Sequence, residues 1–260
     1  NWEESAVIFF DTLRLGRHMT HQGTVAESLA GIEILTNNYL AMAYWAAECP
    51  EPAMVARAQR LLETLADDLV DATRTVSGEQ AILGQRLSAL HAAYPDGPWA
   101  ELILEDLGLP MPTGSIEAIR DRAVAACIEN GISKEVFENP QAFTEYVERV
   151  ASIHNRFSEA AAACMTLPPK SRVRRGNQIY QDYSGLAGAL GQDLVLHPGE
   201  LGKKFAVHEA ELTLLRLVLA IGAKRSDSGF PESLSELRGV FGGRVPASPF
   251  DGAPATYQRS

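Results

Sequence analysis

The chain has 260 residues, 46% of them hydrophobic and 22% charged, enough for one large globular domain or two small ones with a buried core. A net charge of −10 excludes a general nucleic-acid or anionic-membrane binder, which needs a cationic surface. Cys49, Cys127 and Cys164 are too few and too widely spaced for a disulfide framework or a zinc knuckle, and read as small buried side chains.

Helical periodicity governs the chain to about residue 224. Val7, Phe10, Leu13 and Arg17 mark a helix from Glu3 to Thr20, which Gly23 stops. Thr24 and Glu27 have capping-box spacing, and Val25, Leu29, Ile32, Leu35, Tyr39 and Ala43 carry a second helix to Glu48. Pro52 opens a third, with Val55, Ala58, Leu62 and Leu65 on one stripe. A helical stretch then runs from Leu69 to Tyr94, either continuous or interrupted at Ser77-Gly78. After a turn at Pro95–Pro98 and a loop from Gly108 to Gly114, Ser115 caps a helix to Asn130 with Gly131 as its C′ residue. Phe143, Val147, Val150, Ile153, Phe157 and Ala161 predict a long helix from Pro140 to Met165, stopped by Pro168-Pro169.

Lys170 to Gly202 offers no clear element, and Lys203 to Lys224 is the last strong helix. Its apolar run, Leu212 to Ala223, is interrupted by Arg216 and falls short of the ~20 residues of a membrane span. Beyond it the prolines and glycines multiply. Ser228–Pro231 reads as a turn, Ser233 and Glu236 as a second capping box, and Asp251-Gly252 as a hairpin between short edge strands near Val245 and Ala255–Tyr257. The expected fold is mainly α: an irregular multi-helix array over 1–225, closed by a small α/β tail with short strands over 226–260.

Residues Ala220 to Leu237, with Gly229-Phe230-Pro231-Glu232-Ser233-Leu234 at their centre, and the segment Ser248-Pro249-Phe250-Asp251-Gly252 through Tyr257 resemble the helix end and tail of general-secretion major pseudopilins. Arg14 to His18, Gly23-Thr24 and Ser77 to Glu79 are similar to segments of membrane-anchored helical proteins of planctomycete-type bacteria, which share that ending. The pseudopilin-like tail usually carries Asp where Ser248 stands, and pseudopilins place their helix directly after the membrane span rather than after some 200 residues. The resemblance implies a cell-envelope location, on the periplasmic or exported side, and supplies no catalytic residues. The chain opens at Asn1 rather than Met, which predicts an upstream signal or anchor as its one means of membrane association.

Asp67-Asp68-Leu69-Val70-Asp71 is the sharpest chemical string. On one helix Asp67 and Asp71 stand a turn apart beside Asp68, where three carboxylates would hold Mg²⁺ against a diphosphate. The spacing resembles the first aspartate-rich motif of isoprenoid synthases, but no second such motif follows, and acidic residues also suit a helix N-terminus. His18 and His21 have metal-ligand spacing and would need Glu27 or Asp11 to complete a set. At a helix C-terminus they equally suit the dipole.

Lys170, Arg172, Arg174 and Arg175, just before Tyr180 and Tyr183, form the one basic cluster, suited to a phosphate, an acidic partner or lipid headgroups, and equally to a solvated loop or a pairing with neighbouring acidic helices. Gly185, Gly188 and Gly191 lack the strand and the following Lys-Ser/Thr of a nucleotide loop. Tyr39, Tyr44 and Trp45 read as core, and His197 and His208-Glu209 as surface or interhelical contacts. No catalytic, cofactor or metal set is complete. The leading expectation is a non-enzymatic envelope scaffold or interaction domain with a protein partner. The alternative is an all-α Mg-dependent enzyme acting on diphosphates through Asp67, Asp68 and Asp71.

Overall fold

The first helix, α1 (Trp2–Thr20), begins where the Asn1 side chain accepts the Glu3 amide; it carries acid in its first turn and Arg17 and His18 in its last, signs that oppose the helix dipole. Gly23, at φ +97°, turns the chain into α2 (Val25–Glu48). There Thr24 accepts the Glu27 amide at 3.1 Å and donates its hydroxyl to the Glu27 carboxylate. The two helices form an antiparallel hairpin whose far end is tied where Trp45 Nε1 donates to the Trp2 carbonyl. The computed structural model describes residues 1–184, 186, 197–226 and 229–258.

Pro52 occupies the first turn of α3 (Pro52–Leu65), which tightens into a 3-10 turn at Ala66–Asp68. Then come α4 (Ala72–Ala93), α5 (Trp99–Asp106) and α6 (Ile116–Glu129). A 3-10 turn at Lys134–Phe137 precedes α7 (Pro140–Met165), α8 (Pro169–Tyr183) and α9 (Pro198–Ala223). The protein is thus a mainly α, multi-helix array. Gly131, at φ +86°, terminates α6 as its sequence position predicts, and all six periodic apolar residues of α7 are buried.

Several local expectations change. The helix from Ala72 runs through Ser77-Gly78 without a break, because a single glycine costs a 22-residue helix only about 1 kcal/mol. α5 has no counterpart among the expected helices, and α8 fills a stretch that reads as irregular. In the tail the described residues hold a short 3-10 turn at Leu234–Leu237 and two isolated bridges, Ser226–Gly229 and Ala247–Pro254, and no strand. Pro246, Pro249 and Pro254 each lack an amide proton, which denies a ladder its successive hydrogen bonds. Ser228 of the expected turn, and Gly185, Gly188 and Gly191, lie outside the described residues.

The chain divides into two compact units. The first gathers Asn1–Thr75, Thr166–Val173 and Gly202–Ser260, so the tail belongs to it; the second gathers Val76–Met165 and Arg174–Leu201. The core of the first unit joins Leu13, Leu35, Met42, Val55, Leu62 and Leu219. That of the second centres on Ile103, Leu104, Phe143 and Val147, with a ring cluster in which Tyr94 stacks on Phe143 at 3.8 Å and Trp99 lies on Phe137. Cys49, Cys127 and Cys164 are all buried, none of them in a disulfide among the described residues, and burial pushes the Cys127 thiol up to about 12. Among the described residues no helix is long and apolar enough to cross a membrane.

Candidate functional site

Asp68 of the aspartate string and His21 of the histidine pair, separate in sequence, meet in the first unit. Asp67 and Asp68 lie in the 3-10 turn after α3, whereas Asp71 stands before α4 and accepts the Arg74 amide at 2.9 Å as a helix cap. The three carboxylates therefore do not share the face of one helix, which corrects the sequence reading. Burial of Leu69 between them sets the kink: its side chain turns into the core and its carbonyl accepts the Thr20 hydroxyl at 2.7 Å. Asp68 takes the last turn of α1 instead, pairing with Arg17, while His21 Nε2 lies 3.0 Å from the Asp68 carbonyl and 3.7 Å from its carboxylate. His18 contacts Gln22. Among the described residues no three His, Cys, Asp or Glu side chains come together as a metal requires.

The basic cluster is also divided. Arg172 is buried; it donates to the Glu209 carboxylate at 2.7 Å and to the Leu167 carbonyl. Its stem lies against α9 at Gly202, where an added Cβ would come within 3.0 Å of Arg172 Cγ. Lys170, Arg174 and Arg175 are exposed. In the second unit His197 caps α9, accepting the Glu200 amide at Nδ1, and its ring stacks on Tyr180 at 4.1 Å.

Two features of the first unit escaped the sequence. One is a buried polar group formed by Tyr39 on α2 with His208 and Glu211 on α9. The Tyr39 and His208 rings are 5.6 Å apart, and Glu211 follows His208 by three residues on the same helix. Tyr39 Oη, His208 Nδ1 and Glu211 Oε2 are buried without a hydrogen-bond partner among the described residues. Burial raises the Tyr39 phenol, helped by the Glu211 charge; it lowers His208 to about 4 and raises Glu211. Of the two readings of His208, surface or interhelical contact, the structure thus has the interhelical one, in the core; its sequence signal is that it shares a helical stripe with Phe205, Leu201 and Leu215.

The other feature is a trough of about 510 Å³ between α1 and α3. The helices run side by side in the same direction: Trp2 lies by Trp45 near the start of α3, and Arg17 and Thr20 lie by Asp68 and Leu69 just past its end. Phe10 and Ala58 are buried along the trough, while Val7 and Leu61 are 58% and 45% exposed. Val7 therefore stands on the trough and not, as its spacing suggests, in the core. Tyr44 is exposed as well, in contrast to Tyr39 and Trp45. Glu3, Glu51 and Arg57 lie toward one end of the trough, and Arg14 lies toward the other. No family model matches the chain, and no curated protein or solved structure matches it.

Proposed function

We propose that the chain is a non-enzymatic interaction domain on the exported side of the cell envelope, built to hold a protein partner. The observation that carries the interaction is the open apolar trough between α1 and α3, which leaves Val7 and Leu61 in water beside buried Phe10 and Ala58. The envelope placement rests on the pseudopilin-like pattern of the tail. In support, the two segments that carry the pattern touch each other: the Tyr257 hydroxyl donates to the Pro231 carbonyl at 2.9 Å. We read the tail as a reduced α/β element in which the bridges Ser226–Gly229 and Ala247–Pro254 stand where short strands would begin.

The Mg-dependent diphosphate reading has less behind it. It needs Asp67, Asp68 and Asp71 to converge, and Asp68 and Asp71 are engaged by Arg17 and the start of α4. The test of location is a fusion of the full-length gene product, in its own cells, to a reporter enzyme active only after export. An active reporter is expected. A reporter active only in its cytoplasmic counterpart version overturns the envelope reading.

A further inference from the structure

We propose that a cleft in the tail binds a small organic phosphate, with Arg238 and Arg244 gripping a dianionic phosphate monoester and the walls of the cleft covering its apolar body.

The cleft, of about 430 Å³, opens where three stretches of the tail meet: the 3-10 turn Leu234–Leu237 with Arg238 after it, the run from Gly243 to Ala247, and Gly252, Pro254 and Ala255. The backbone fixes its frame. Leu237 is fully buried, the Gly243 amide donates to the Arg238 carbonyl at 2.7 Å, and the Ser248 amide donates to the Ala253 carbonyl at 2.8 Å. Gly243, at φ +102°, allows the first of these closures. Arg244 therefore leaves the backbone beside Arg238, and the two long side chains can close on one group.

Charge selects the class of ligand. The chain carries −10 overall, yet among the described residues the lining holds two arginines and no acid. Neither arginine has a carboxylate partner among the described residues, whereas Arg17, Arg172 and Arg216 of the same unit hold Asp68, Glu209 and Glu63. The acids nearest in sequence are engaged elsewhere. Glu236 accepts the amides of Glu232 and Ser233 at 2.8 and 3.0 Å, and Asp251 accepts the Ala253 amide at 3.0 Å.

Guanidinium forks favour oxyanions. A phosphate monoester brings nearly two negative charges and three oxygens to one point at neutral pH, and satisfies both arginines where a single carboxylate satisfies one. Ser235 Oγ, also in the lining, lies 2.6 Å from Ser233 Oγ; by accepting that neighbour's proton it can donate its own to a phosphate oxygen.

Size and walls favour an organic phosphate over the bare ion. The volume falls in the range of small-ligand sites, and Leu234, Val245, Pro246, Ala247 and Pro254 present apolar surface that a hydrated inorganic ion would leave uncovered. A net charge of −10 repels an anionic bilayer, which favours a free ligand over a lipid headgroup.

The probe is phenyl phosphate, titrated calorimetrically into the whole chain at low ionic strength. Binding is expected about tenfold tighter than that of inorganic phosphate or benzoate. It should weaken as pH falls through about 6, where the dianion takes up a proton, since the lining holds no histidine or carboxylate to titrate there. Arg238→Gln and Arg244→Gln, both at exposed positions, should each weaken binding about tenfold or more with the thermal transition retained. Absence of binding at millimolar phenyl phosphate, binding that survives both substitutions, or tighter binding of glutarate each overturns the phosphate assignment. Co-sedimentation with phosphatidate vesicles that phenyl phosphate fails to displace overturns the free ligand in favour of a lipid headgroup. These outcomes bear on the tail alone, and the export reporter decides the location separately.

Discussion

Gly31 of α2 and Gly16 of α1 meet backbone to backbone: a Cβ added at Gly31 would lie 2.7 Å from the Gly16 carbonyl oxygen, and one added at Gly16 would lie 2.7 Å from Leu35 Cγ. The hairpin therefore packs closer than any side chain permits, and the missing atoms are part of its fit. Gly31→Ala has no flexible neighbour to displace and is expected to cost about 1–3 kcal/mol. Gly84, exposed inside α4 with nothing within 4 Å of where a Cβ would stand, is the counterpart. Gly84→Ala is expected to stabilise by roughly 0.5–1 kcal/mol through helix propensity. Urea midpoints of the two variants, moving in opposite directions, check both.

Tyr39→Phe removes a buried hydroxyl that has no partner among the described residues. Burying such a group costs free energy that a hydrogen bond normally offsets. The variant is expected to be as stable as the parent or more so, by up to about 1 kcal/mol. A loss above that in urea unfolding would mean that the hydroxyl is satisfied in solution.

Acid is expected to weaken the fold through His208, with His154 acting in the same sense. Burial holds both rings near 4, below the ordinary imidazole value near 6.5, and both have low exposure. Between these values the unfolded chain binds more protons than the folded one. Stability is thus fully present above about 6.5 and is lost as pH falls toward 4, at up to roughly 1.4 kcal/mol per pH unit for each ring. Glu211, raised by burial, works oppositely, because ionisation in the unfolded chain precedes that in the fold as pH rises. Urea midpoints measured from about pH 7.5 to about pH 4.5 should fall, and His208→Leu should flatten the slope. An unchanged slope in that variant rejects the assignment.

Asp68→Asn breaks an exposed ion pair with Arg17, and is expected to cost no more than about 1 kcal/mol. A melting scan with Mg²⁺ and inorganic diphosphate is expected to show no shift for the parent. A ligand present at 100 times its dissociation constant would add about 2.7 kcal/mol. A shift that disappears in Asp68→Asn would restore the diphosphate reading.

Long helices with a regular apolar stripe were legible. Phe143 through Ala161 on α7 needed nothing beyond spacing, and Ser115 and Gly131 marked both ends of α6. α8 was not, because its buried positions are Pro169, Arg172, Gly176 and Ile179, and a proline, an arginine and a glycine carry no apolar signal. Arg172 is core only because Gly202 leaves room for its stem and Glu209 lies within reach, facts fixed by a helix about 30 residues away. Likewise the trough depends on α1 and α3 being parallel neighbours, and neither stripe announces that. The aspartate string misled because local spacing assumed one continuous helix, whereas burial of Leu69 bends the chain between the carboxylates.

The order in which the chain passes between its two units bears on how it can be made. Its path leaves the first unit after Thr75, returns for Thr166–Val173, departs again and comes back at Gly202. A ribosome that has delivered the chain as far as Met165 has supplied the α1–α2 hairpin and α3 but not α9, whose Leu215 and Leu219 complete the core around Leu35, Met42 and Val55. Until those residues emerge, that apolar surface is open to water and to other chains. Neither unit can be excised as one continuous fragment, so a truncation meant to isolate a half would yield an incomplete core.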